Sequence, residues 1–230
     1  LARTRAVLFD LNGTLAYVKD GITHNKLSEY LFSRGYEVSP QQLGAAFSFV
    51  SFIDYPRHGY RSWHAYLSRV LWRLKVEVDK ETMDQIIKLL KSRPYRLYQD
   101  AKSAVPMAKN SGFKTAVVTS ITYFRFKDAL LPIRKHLDLV MTGFEAGCDK
   151  SNPRMYQKVL QILGVTPQQA VMIGDELELD LLLPKRLGID AILLNRKDKN
   201  KGRSVDAFVY DLNEAMETII DRGVRTEQSS

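Results

Sequence analysis

Residues 6–15 read Ala6-Val7-Leu8-Phe9-Asp10-Leu11-Asn12-Gly13-Thr14-Leu15. An apolar run ends in a carboxylate, and a Gly-Thr turn follows at once. This predicts a buried strand with Asp10 at its carboxyl end, where open α/β sheets place their ligands. A carboxylate there can act as a nucleophile or a metal ligand. Two positions on, a second carboxylate would complete a nucleophile and acid/base pair. The residue is Asn12, whose amide carries no transferable proton at neutral pH.

Outward from this strand, further apolar, β-branched runs follow at Thr115–Thr119, Leu137–Met141, Ala170–Ile173 and Ala191–Leu194, with a short one at Val205–Val209. Helical patterns at 102–111, 123–136, 153–163, 178–187 and 211–222 alternate with them, and Gly112 and Gly188 mark helix stops. The alternation predicts an α/β fold, a Rossmann-like, doubly wound parallel sheet with helices on both faces. Residues 17–97 break the pattern. They read as amphipathic helices near 23–34, 40–51, 60–74 and 80–92, punctuated by Pro40, Pro56 and Pro94. The expected organisation is a core of residues 1–16 and 98–230 with a small helical cap domain of residues 17–97. The tail from Thr226 to Ser230 is polar and is expected to fray.

Composition narrows the class. The chain has 230 residues, 45% of them apolar, which suits a globular core. Its one cysteine excludes an intrachain disulfide. No apolar stretch has the length of a membrane span, and, with the first strand reached within a few residues, no leader is expected. The expectation is a cytoplasmic protein with no membrane partner. The formal charge is +8. The densest basic run, Lys197 to Arg203, contains an Asp and no aromatic residue, so it reads as a solvated loop and no nucleic-acid partner is expected. The positive charge reads as an attraction for phosphorylated metabolites.

Four chemically useful sites fall after four of the predicted strands: Asp10 with Asn12, Gly13 and Thr14; Thr119 with Ser120; Lys150; and Asp175 with Asp180. Each alone has a bland reading, as a helix cap, a turn residue or a surface charge. Together, a nucleophilic carboxylate, a hydroxyl, a cation and a further acidic cluster make a phosphate site. Asp10 and Asp175 offer the hard oxygens that Mg²⁺ takes, and the hydroxyl and ammonium suit a transferring phosphoryl group.

In this order the motifs resemble those of the haloacid dehalogenase superfamily. The pattern Asp-x-Asp-Gly-Thr is met at 10–14 except at Asn12. The Ser/Thr motif falls on Thr119, the lysine motif on Lys150 with Pro153 after it, and the acidic motif on Asp175 and Asp180. The resemblance covers residues 5–15 and about 98–212, and the insertion between the first two motifs is similar to the helical cap of the phosphatase, phosphoglucomutase and dehalogenase branches.

The resemblance implies an Mg²⁺-dependent phosphatase acting on a small phosphorylated metabolite through an aspartyl phosphate on Asp10. It implies Mg²⁺ held by the carboxylates of Asp10 and Asp175 and the backbone carbonyl of Asn12. Thr119 would donate to the phosphoryl group, with Gly13, Thr14 and Ser120 also binding substrate. Lys150 would neutralise Asp10 and the phosphate, and Asp180 would orient Lys150 or a metal-bound water. Asn12 replaces the acid/base carboxylate of the family's phosphatases, so slowed turnover is expected. Two alternatives follow from the same residue: a 2-haloacid dehalogenase-like or phosphonatase-like hydrolase, or a catalytically weak member that binds a phosphorylated ligand. Arg57, His58, Tyr60, Arg61 and His64 of the cap are candidates to read the substrate.

Overall fold

The computed structural model describes residues 3–196 and 208–227. The opening run forms β1 (Ala6–Phe9), every residue of it buried. The chain then turns into β2 (Ala16–Val18) and five helices, α1 (His24–Ser33), α2 (Pro40–Phe49), α3 (Tyr55–His58), α4 (Trp63–Leu74) and α5 (Lys80–Lys91). It returns through β3 (Tyr95–Leu97) and continues as α6 (Ala101–Asn110), β4 (Lys114–Val118), β5 (Leu139–Met141), α7 (Gly143–Ala146) and α8 (Pro153–Leu163). The last elements are β6 (Ala170–Gly174), α9 (Leu183–Arg186), β7 (Asp190–Leu194), β8 (Phe208–Val209) and α10 (Leu212–Glu227).

Six strands form one parallel sheet in the order β5-β4-β1-β6-β7-β8. The chain builds outward on one side of β1 and then crosses to the other, so the strand order reverses at β1. Crevices at such reversals are where doubly wound sheets bind ligands. Strand periodicity divides the core. Val7 and Phe9 face the side covered by α6 and α10, while Ala6 and Leu8 face α8 and the segment around Leu181. Gly112 and Gly188 follow their helices at positive φ, as their spacing predicts.

The helices of residues 24–91 bury a core of their own around Leu27, Leu31, Leu43, Tyr66, Val70 and Ile86. Their caps are local. Ser39 and Gln42 close a capping box on α2, and the side chains of Ser62 and Asp79 accept backbone N–H groups at the starts of α4 and α5. β2 and β3 pair as an antiparallel ribbon where the chain leaves and re-enters the sheet layer, an element the sequence reading does not contain. Tyr55 ties the helices to the sheet layer: its hydroxyl lies 2.9 Å from Thr142 Oγ1 and accepts the Tyr123 N–H at 3.3 Å.

Three expected helices are altered. Residues 123–136 form not one α-helix but two 3₁₀ turns, Tyr123–Arg125 and Arg134–His136, joined by further turns. Pro132 lacks the N–H that a continuous helix would use there. Residues 178–187 open as a π-helix, Leu177–Leu182, before α9. The 40–51 helix likewise passes into a π-helix at Val50–Asp54. In both, a proline (Pro184, Pro56) sits just beyond and removes one i→i−4 donor, which favours the wider turn. The closing helix runs to Glu227, past the expected end at 222. Residues 205–207 of the expected last strand, the basic run at 197–203 and residues 228–230 lie outside the described residues. Among the described residues, no helix is long and apolar enough to cross a membrane.

Candidate active site at the sheet edge

Strand register brings the predicted residues to one edge. Phe9 pairs with Val117 on one side and Ile173 on the other. Asp10 therefore stands level with Val118 and Gly174, and Thr119 and Asp175 follow one residue later. Adjacent strands lie about 4.8 Å apart, so side chains from three neighbouring strand ends share one small volume. Asp10, Thr119 and Asp175 are all buried.

The turn after β1 is tight. The amide of Ala16 donates to Leu11 O at 2.8 Å, and that of Gly13 donates to Ala16 O at 2.8 Å. Gly13 has φ +88, and a Cβ there would stand 2.2 Å from Asp175 Oδ2. Only glycine allows both the backbone angle and the approach. Gly174 plays a similar part for Asp180: a Cβ on it would meet the Asp180 Cγ at 2.2 Å.

Lys150 reaches the site from the loop before α8, which opens with Asn152 as cap and Pro153 in its first turn. Its backbone N–H donates to Ser120 Oγ at 2.9 Å. Its ammonium lies 2.5 Å from Asp10 Oδ1 and 2.5 Å from Asp180 Oδ1. Asp180 sits on the π-helix, and its Oδ2 accepts the Glu176 N–H at 3.0 Å. Burial pushes the Asp10 carboxyl well above its ordinary range. Lys150 opposes that shift, and the charges of Asp180 and Asp175 add to it. Burial works against the Lys150 ammonium, but Asp10 and Asp180 outweigh it and hold the charge on.

The carboxylates of Asp10, Asp175 and Asp180 offer oxygens within 4.8 Å of one another. Lys150 is the cation that lowers the Asp10 carboxyl, and it is shared with Asp180. The excess negative charge in so buried a place suits a divalent cation, and the donors are the hard oxygens that Mg²⁺ prefers. The residues fit that ion.

The other predicted residues take distinct places. Thr119 Oγ1 accepts the Ile121 N–H at 3.2 Å, which leaves its own O–H to donate. Ser120 is half-buried and occupied with the Lys150 backbone. Thr14 is fully buried, and its carbonyl, not its hydroxyl, has a partner: Arg196 Nη2 at 2.9 Å. Asn12 is exposed and lines two openings. One is a cleft of about 650 Å³ between the helices and the sheet edge. The other, about 220 Å³, also touches Gly13, Asp175 and Arg196. Of the five cap residues expected to read the substrate, Arg61 lines the cleft. His58 and Tyr60 instead turn to the buried Asp54, which Arg69 Nε also reaches at 2.7 Å. Arg57 and His64 are exposed away from the cleft lining.

A family model of haloacid dehalogenase-like hydrolases matches residues 4–188. The chain belongs to this family. A phosphoserine phosphatase of Thermus thermophilus is 29% identical over 126 residues, 53% of this chain and 51% of that protein. A glyceraldehyde 3-phosphate phosphatase of Methanothermobacter thermautotrophicus is 29% identical over 124 residues, 50% of this chain and 55% of the relative. The chain thus spans about half the length of these relatives. A haloacid dehalogenase-like hydrolase domain-containing protein 3 of Xenopus laevis is 24% identical over 213 residues, 86% of each chain. Among solved structures, a 2-haloacid dehalogenase of Pseudomonas syringae superposes with a TM-score of 0.68 at 18% identity, covering 95% of this chain and 99% of the other. A phosphatase of Thermococcus onnurineus gives 0.59 at 20% identity, over 94% and 98%. Both share the fold.

In this haloacid dehalogenase-like hydrolase, sequence reasoning missed Arg196. Its guanidinium joins the Thr14 carbonyl to the Asp100 carboxylate and stacks 4.0 Å over the Tyr98 ring. It stands two residues after Leu194, at the same sheet edge that carries Asp10, Thr119 and Asp175. The cleft cations Lys91, Arg93, Arg125 and Lys127 were also missed. They come from chain segments whose meeting has no signal in one dimension.

Proposed function

We propose that this hydrolase is an Mg²⁺-dependent phosphatase acting on a small phosphorylated metabolite. One observation carries the reading: a buried strand-end carboxylate, Asp10, is clamped by Lys150 beside Asp175 and Asp180 at the reversal of the sheet. The relatives named as phosphatases support the same chemistry. Residues 17–97 would serve as a cap over a core of 1–16 and 98–230, with the substrate entering the cleft between them.

In this reading a carboxylate oxygen of Asp10 attacks phosphorus, the bond to the leaving oxygen breaks, and an aspartyl phosphate forms. Water then attacks that phosphorus, releasing inorganic phosphate and restoring Asp10. Lys150 holds the Asp10 oxygen in line and balances phosphoryl charge, with Asp180 fixing its ammonium. Thr119 donates its free O–H to a phosphoryl oxygen. Asp10, Asp175 and the Asn12 carbonyl would hold Mg²⁺, which supplies charge neutralisation to the transferring group. Asn12 gives no proton to the leaving oxygen and takes none from the attacking water. Solvent must do both, at a cost of about 10²–10⁴ in rate.

Phosphate release from a panel of phosphomonoesters, with and without Mg²⁺, tests the proposal. Release that needs the ion and is lost in Asp10→Asn supports it, and no release from any ester sinks it. The amide at position 12 also leaves room for a second reading. In it an Asp10 oxygen attacks the halogen-bearing carbon and expels halide, or attacks the phosphorus of a phosphonate and breaks its carbon–phosphorus bond. Water then releases the product from Asp10. Chloride release from 2-haloacids without added metal would select it. Ligand binding with no turnover, unrescued by Asn12→Asp, would instead mark a catalytically weak phospholigand-binding member.

A further inference from the structure

The cleft beside Asn12 is lined by Arg61, Lys91, Arg93, Arg125 and Lys127, with Asp128 as its one acidic lining residue. These cations come from three separate parts of the chain: the approach to α4, the end of α5 with the linker to β3, and the turns after β4. Their meeting is therefore a tertiary product and not the charged face of one helix. Other basic side chains find carboxylates: Arg34 pairs with Glu81, Arg69 with Asp54 and Lys109 with Asp138. Among the described residues, none of the five cleft cations takes part in an ion pair. Arg125 Nε is buried without a hydrogen-bond partner, and its guanidinium stands 5.4 Å from the Trp63 ring centroid.

Five cations facing a single carboxylate, Asp128, leave the concave space with excess positive charge, so the cleft is better matched to an anion than to water alone. At about 650 Å³ it exceeds the room that one phosphoryl group needs. Trp63 and Phe124, edge to face at 5.3 Å, give it an apolar wall for an organic skeleton. Asn12, two residues after Asp10 on the turn that follows β1, also lines it, so the cleft adjoins the turn that carries the nucleophile.

We infer that this cleft recognises a second anionic group on the phosphomonoester, a phosphate or a carboxylate carried away from the scissile phosphorus. The inference rests on the phosphatase reading for the reaction and on the cleft alone for the specificity. Arginine forks present paired donors to either group.

Three esters of one alkyl chain provide the test: a monophosphate with a neutral end, the same chain ending in a carboxylate, and the same chain ending in a second phosphate. With the intact protein and Mg²⁺, kcat/KM for one or both doubly anionic esters is expected to exceed that of the neutral-ended ester by about tenfold or more. The advantage should shrink as salt rises, because exposed charges are screened over about 10 Å at 0.1 M. It should also shrink in an Arg61→Ala/Arg93→Ala variant whose thermal unfolding matches the parent. Equal kcat/KM for all three esters overturns the inference and leaves the phosphatase reading standing. If none is hydrolysed, that reading fails, and calorimetric titration of Asp10→Asn with the same esters decides the cleft. Tighter binding of a doubly anionic ester supports it, and equal binding overturns it.

Discussion

Gly13 and Asp175 share a space that admits no further atom. A Cβ on Gly13 would stand 2.2 Å from Asp175 Oδ2, and the Gly13 backbone is at φ +88. The turn after β1 and the carboxylate after β6 are thus built against each other. Gly13→Ala has to move one of them. It is expected to lower stability by about 1–3 kcal/mol through backbone strain and to displace Asp175 from Asp10. Phosphatase activity should fall more than the loss of folded protein explains. Urea unfolding beside phosphate release measures both, and an alanine variant with unchanged activity would show that the two segments yield independently.

Lys150 is 3% exposed and lies between two buried carboxylates. Replacement by Met keeps much of the volume and leaves Asp10 and Asp180 without their shared cation. Breaking a buried pair in this way costs about 3–5 kcal/mol. Chemical denaturation at pH 7 should register that loss, together with the loss of turnover. A change under about 1 kcal/mol would mean that the carboxylates take up protons at little cost.

Asn12→Asp restores a proton carrier at an exposed position already facing the cleft. Turnover of phosphomonoesters is expected to rise by about 10²–10⁴, with the proposed Mg²⁺ dependence unchanged. Steady-state phosphate release reads this directly. A variant no faster than the parent would place the limiting step elsewhere than in proton transfer.

Asp79 caps α5 by accepting the Thr82 N–H and hydroxyl, each at 2.8 Å, and the Tyr36 hydroxyl at 3.2 Å. The Thr82 backbone bond leads the effects that lower its carboxyl from 3.8 to about 2. The folded chain thus favours the ionised form more than the unfolded chain does. The stability this adds is complete above the unfolded value of 3.8 and is lost as pH falls through about 2. Carboxyl-carbon NMR of Asp79 should titrate near 2, and Asp79→Asn should flatten that part of the acid unfolding curve. A midpoint near 3.8 would contradict the cap's preference for the charged form.

Much of the site was legible because its chemistry sits on short, ordered words. Asp10, Thr119 and Asp175 each follow an apolar run, and a parallel sheet puts such strand ends on one edge. Lys150 was legible by motif, although its side chain crosses to the site from a loop. The turns at 123–136 and the π-helices at 50–54 and 177–182 were not legible as such. Apolar periodicity is nearly the same for these turns and for an α-helix, and Pro132, Pro56 and Pro184 change the hydrogen bonding without changing the pattern. The candidate substrate readers between 57 and 64 were legible as basic and aromatic but not by direction. His58 and Tyr60 turn to Asp54 because a buried carboxylate requires donors.

By itself, the sequence determined the parallel sheet, the identity of its strand-end residues and the missing proton carrier at position 12, since period-2 burial and side-chain chemistry are local properties. Tertiary structure alone decided that the Lys150 ammonium stands 2.5 Å from both Asp10 and Asp180, a contact the motif resemblance only implied, that Arg196 holds the Thr14 carbonyl, and that cations from 61, 91–93 and 125–127 face one cleft. Those are distances between segments far apart in the chain. They are set by how layers pack around a common core, which residue patterning along a single strand or helix does not encode.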